Sequence, residues 1–131
     1  METPLIDALK QALRGRRDVQ VALLFGSRAR GRARAGSDVD VAVEGRGLDL
    51  LALGADLSDA ARGEVHVVDL VDAGYPLLNA LLRDGILLHE GEPGAGAGWR
   101  TRAILQTETD RPWFERMRDA YLRRLAENPL G

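Results

Sequence analysis

Residues 19–44 read VQVALLFGSRARGRARAGSDVDVAVE, and they constrain the fold more than any other part of the chain. Val19–Phe25 is a β-rich run stopped by Gly26, and Asp38–Glu44 alternates strictly between polar and apolar residues, so both are expected as strands. Successive side chains of a strand point to opposite faces, so Asp38 and Asp40 share one face while Val39, Val41 and Val43 share the other. One face belongs in a core; the other carries paired charge. Two carboxylates about 7 Å apart along a strand repel each other unless water or a cation lies between them. Hard oxygen ligands of this kind suit Mg²⁺ or Mn²⁺, which take one or two carboxylates and leave other positions to water and phosphate oxygens. Gly26 permits a tight turn with close backbone approach, Ser27 adds a hydroxyl, and a following helical turn would aim free N–H groups at phosphate. Arg28, Arg30, Arg32 and Arg34 follow as further anion-binding groups. Each part alone is ordinary. Strand, Gly-Ser, loop, Asp-Val-Asp and strand in this order predict a metal–triphosphate site.

Before this stretch, Thr3 and Pro4 can cap and open a helix in which Leu5, Ile6, Leu9, Ala12 and Leu13 recur at helical spacing, ahead of Gly15. After it, residues 48–63 predict a second helix, Glu64–Val71 a third strand, Pro76–Gly85 a short helix and Ile86–Glu90 a last small strand. Residues 91–98, GEPGAGAG, hold four glycines and a proline and are expected as a flexible connector. The expected organisation is therefore a domain over 1–90, a linker over 91–98 and a helical tail over 99–131. In the tail, Asp110 and Pro112 are expected to start a helix with Phe114, Met117, Tyr121 and Leu125 along one face and Trp113 beside them. That face must be covered by the parent domain, by a partner or by a second copy in a homo-oligomer.

A chain of 131 residues is long enough for one sizeable core. Its formal net charge of −2 excludes a polycation that coats nucleic acid, so no direct nucleic-acid binding is expected. There are no cysteines, which removes disulfide frameworks and thiolate metal sites. The opening METPLIDALKQALRG has no signal-peptide pattern, and no run of about 18 apolar residues occurs. The expectation is a cytoplasmic protein without a membrane partner.

The segments LLFGSRARGRARAGSDVDVAV, VVDLVDA and LLRDGILLHE together resemble the minimal nucleotidyltransferases of the polymerase-beta-like superfamily, over roughly residues 4 to 90. The resemblance implies an α/β (α+β) domain with a short mixed sheet, helices on one face and the nucleotide cleft on the other. It implies transfer of AMP from ATP onto a hydroxyl, with Asp38 and Asp40 holding Mg²⁺ or Mn²⁺. Gly26, Ser27, Arg28 and Ser37 are the implied nucleotide-binding positions. Small members of this kind resemble antitoxins whose partners are HEPN-type ribonuclease toxins, and the acceptor would then be a toxin tyrosine.

One position departs from the family pattern. A third carboxylate is usual on the neighbouring strand, yet counting back from LRDG without gaps puts His66 there. Strand parity agrees: Val65, Val67 and Val71 share a face with Asp69, while Glu64 and His66 lie on the other. A one-residue bulge would reverse this and turn Asp69 inward. His66, Asp69 and Glu64 therefore all stand as candidates for the third position. An imidazole can act as a base or a metal ligand but brings no negative charge. Two further readings follow: a catalytically weak nucleotide-binding antitoxin that silences its partner by occlusion, and an enzyme acting on a small hydroxyl compound.

Overall fold

The computed structural model describes residues 3–26, 29 and 38–127. Thr3–Leu13 forms helix α1, Val19–Phe25 strand β1 and Val39–Gly45 strand β2. Helix α2 spans Leu50–Ala61, where the Asp49 carboxylate accepts the Ala52 N–H at 3.0 Å and satisfies one donor of the first turn. Strand β3 is Val65–Asp69, followed by a 3-10 turn at Leu70–Asp72. Helix α3 spans Tyr75–Asp84 with Pro76 in its first turn, strand β4 spans Ile86–Glu90, and helix α4 runs from Ala95 to Glu127.

The sheet has the order β3-β2-β1-β4. Strand β1 is antiparallel to both β2 and β4, whereas β2 and β3 are parallel, so the sheet is mixed. Alternation sends Val39, Val41, Val43, Ala22, Leu24 and Val65 to one face, where they close a core with Leu9 and Leu13 of α1 and Leu53 and Leu57 of α2. Val21, Leu23 and Ala42 point to the other face and pack with Leu78 and Leu81 of α3 and Trp99 and Ala103 of α4.

Helices thus lie on both faces rather than on one. The second face carries an apolar row of its own, which α3 and the first half of α4 must cover. The connector expected over 91–98 is also corrected: Gly94, at φ +91°, ends a turn, and residues 95–98 are already helix. The Glu90 carboxylate accepts the Gly96 N–H at 2.9 Å, and Gly96 is buried against Leu87. Packing and a capping carboxylate outweigh the poor helix propensity of these glycines. Pro112, expected to open the tail helix, lies inside α4 instead. No helix among the described residues is long and apolar enough to cross a membrane.

Candidate nucleotide and metal site

The site is built where β1 ends and β2 begins. Phe25 pairs with Asp40, and Asp40 pairs on its other side with His66 of β3. By strand parity Phe25, Asp40 and His66 form one row across three strands, on the face that also carries Val21, Leu23 and Ala42. Helices α3 and α4 pack over those apolar neighbours, and the charged row lies beyond them at the strand ends.

Gly26 follows Phe25 at φ +82°, a conformation that L side chains rarely adopt. Its lack of a side chain has a second cause: a Cβ there would stand 2.6 Å from Asp40 Oδ2. The turn is therefore fitted to the carboxylate that the sequence pairs with it. Burial, the largest cause, raises the Asp40 carboxyl above its ordinary value; His66 opposes the shift and the negative charge of Asp38 adds to it. Asp38 is exposed, and its Oδ2 lies 3.7 Å from His66 Nε2, with Glu64 Oε1 at 4.0 Å from the same nitrogen. These distances are electrostatic contacts rather than hydrogen bonds.

Asp69 is on the other face. Its side chain accepts the Val71 N–H at 3.0 Å and caps the 3-10 turn. No bulge interrupts the β2–β3 register, so Asp69 stands opposite Val43, away from Asp40. The structure thus brings together Gly26, Asp38, Asp40 and His66 and leaves Asp69 apart. Ser27, Arg28, Ser37, Arg30, Arg32 and Arg34 lie outside the described residues.

Among the described residues no three His, Asp or Glu side chains are grouped closely enough to hold a metal ion by themselves. Two carboxylates are nonetheless a sufficient protein share for Mg²⁺ when phosphate and water complete its shell. A partly buried Asp40 that is made reluctant to ionise, with a second carboxylate nearby, is a donor set that a divalent cation would relieve. The residues present fit such an ion.

The family model "Polymerase beta, Nucleotidyltransferase" matches residues 7–93, well over half of the chain. The chain belongs to this family. This nucleotidyltransferase also shares its fold with solved structures. The crystal structure of a toxin–antitoxin with AMP-PNP superposes with a TM-score of 0.73 at 21% identity, over 89% of this chain and 98% of that one. A tri-AMPylated Shewanella oneidensis HEPN toxin in complex with MNT antitoxin gives a TM-score of 0.71 at 21% identity, over 93% and 99%. The toxin–antitoxin MntA–HepT gives 0.66 at 22%, over 93% and 97%. At these identities the likeness is one of fold. No curated protein matches the nucleotidyltransferase in sequence.

Proposed function

We propose that the chain transfers AMP from ATP onto a hydroxyl of a HEPN-type toxin, and that a tyrosine supplies this hydroxyl. The observation that carries the reading is Asp40 seated against Gly26 and beside Asp38, because it joins paired carboxylates to the glycine that ends β1. The solved relatives support the donor and the acceptor: one is a complex with an ATP analogue and another contains an AMPylated toxin. In the reaction the acceptor oxygen forms a bond to the α-phosphorus, the bond from that phosphorus to the β-phosphate oxygen breaks, and pyrophosphate leaves. Asp38 and Asp40 would hold Mg²⁺ or Mn²⁺, which supplies charge neutralisation of the triphosphate when bound. Gly26, by lacking a side chain, leaves room for the Asp40 carboxylate at the strand end, and the His66 imidazole would receive the acceptor's proton. The remaining work is positioning and electrostatic stabilisation. With ATP as donor, the reading also places the protein in the cytoplasm.

The test is calorimetry with AMP-PNP and Mg²⁺, together with radiolabelled AMP incorporation into a HEPN-type protein from the same genome. Wild type should bind the nucleotide in a metal-dependent way and label the partner, whereas Asp38→Ala/Asp40→Ala should do neither. Equal metal-dependent binding by both proteins would sink the site. A second reading has its own observation, His66 beside Asp40 where the family usually carries a carboxylate. On that reading the chain binds nucleotide and silences its partner by occlusion, and toxin inhibition would persist without any labelling.

A further inference from the structure

We propose that the uncovered half of α4 is the surface on which the protein acceptor docks; the inference rests on the reading of that acceptor given above. Helix α4 has 33 residues, which at about 1.5 Å per residue is roughly 50 Å of rod. Gly96, Trp99, Ala103 and Thr107 form its buried stripe. The same three- and four-residue steps continue through Asp110, Phe114, Met117, Tyr121 and Leu125. The covering ends at Phe114, whose ring stacks on Tyr75 with centroids 4.6 Å apart. Beyond it Met117 is 50% and Tyr121 55% exposed, and Leu125 is exposed too, with Trp113 and Leu122 bare beside them. One apolar stripe is therefore half sealed by its own domain and half open.

Contacts along α4 show where the open half leaves the body. Gly96 touches Leu87 of β4, Arg102 pairs with Glu44 of β2 at 2.9 Å, and Phe114 meets Tyr75, which follows β3. The helix passes from β4 over β2 to the start of α3 before its open half begins.

Two observations favour the acceptor over a second copy. Arg124 borders the open stripe by helical position, as does Arg118, which pairs with Asp119 at 3.2 Å, so a self-pair would bring Arg124 of both copies to the same seam, whereas a heterologous helical surface can set a carboxylate opposite it. The superposition on the S. oneidensis antitoxin complex covers 93% of this chain, which leaves only about nine of its 131 residues outside. At least part of the open half is thus within the fold shared with chains that work in toxin–antitoxin complexes.

The experiment co-expresses the full chain with the HEPN-type protein of the labelling assay and follows the complex by size-exclusion chromatography. Met117→Glu/Tyr121→Glu should weaken the complex at least about tenfold and lower partner labelling, with AMP-PNP binding and the thermal midpoint unchanged. Met117→Leu should keep the complex. Asp38→Ala/Asp40→Ala should keep the complex while losing labelling. If wild type forms the complex without labelling and only the Glu variant dissociates it, docking stands and AMP transfer fails. An intact complex with the Glu variant overturns the inference, as does a wild type that forms no complex, or a homodimer that the Glu variant dissolves.

Discussion

Asp69 and His66 are three residues apart on one strand, and a single parity rule separates their fates. The uninterrupted β2–β3 register turns His66 toward Asp40 and leaves Asp69 to cap the following turn. Asp69→Asn, which keeps an oxygen acceptor for the Val71 N–H, should therefore leave AMP transfer within about twofold of wild type. Asp69→Ala should cost about 1 kcal/mol of stability, the usual size of a lost capping bond. His66→Asp adds a third carboxylate to a pair that already disfavours ionisation at Asp40. Its thermal midpoint should fall below that of wild type in EDTA and rise more than that of wild type on addition of Mg²⁺. No difference between the two metal responses would mean that His66 stands outside the cation's reach. The alternation of Glu64, His66 and the valines made the facing of His66 legible in the sequence. Which of the candidates came close to Asp40 required the register.

At the scale of elements, α4 is where local pattern and structure diverge most. A glycine-rich stretch and a proline both argue against helix on propensity, at about 1 kcal/mol per glycine and more for an interior proline. Contacts from outside the segment decide otherwise: Glu90 caps Gly96, and Trp99 and Ala103 complete the core over the distant Val21 and Leu23. The two tryptophans of the helix should then behave in opposite ways. Trp99→Ala removes a side chain that is 6% exposed and should cost about 3–5 kcal/mol by urea denaturation. Trp113→Ala, at 58% exposure, should stay within about 0.5 kcal/mol in the isolated chain. Equal losses would show that the second half of α4 is sealed in the free protein.

At the scale of the whole molecule, Arg16 ties the connection between α1 and β1 to α2. It bonds Asp18 at 3.1 Å and also pairs with Asp56. Hydrogen bonding to Arg16, the largest cause, holds the Asp18 carboxyl below its ordinary value of 3.8, against a smaller opposing effect of burial. A depressed folded value means that the contribution is complete above the unfolded value and is lost as pH falls through the folded one. Asp18→Asn should therefore be less stable than wild type at pH 7 by about 1 kcal/mol or less, and the gap should close as the pH is taken below about 3.8. A gap that persists at pH 3 by chemical denaturation would assign the loss to packing instead.

The sequence by itself determined the order of helices and strands through Gly85, the pairing of Gly26 with the Asp38–Asp40 strand, and the shared face of Asp38 and Asp40. Those features depend on periodicity and turn chemistry, which act over a few residues. Tertiary structure alone decided that Gly26 must lack a side chain because Asp40 fills the space, that helices cover both faces of the sheet, and that residues 95–98 join a 33-residue helix. Each of these depends on atoms brought together from distant parts of the chain, where burial and capping outweigh local preference.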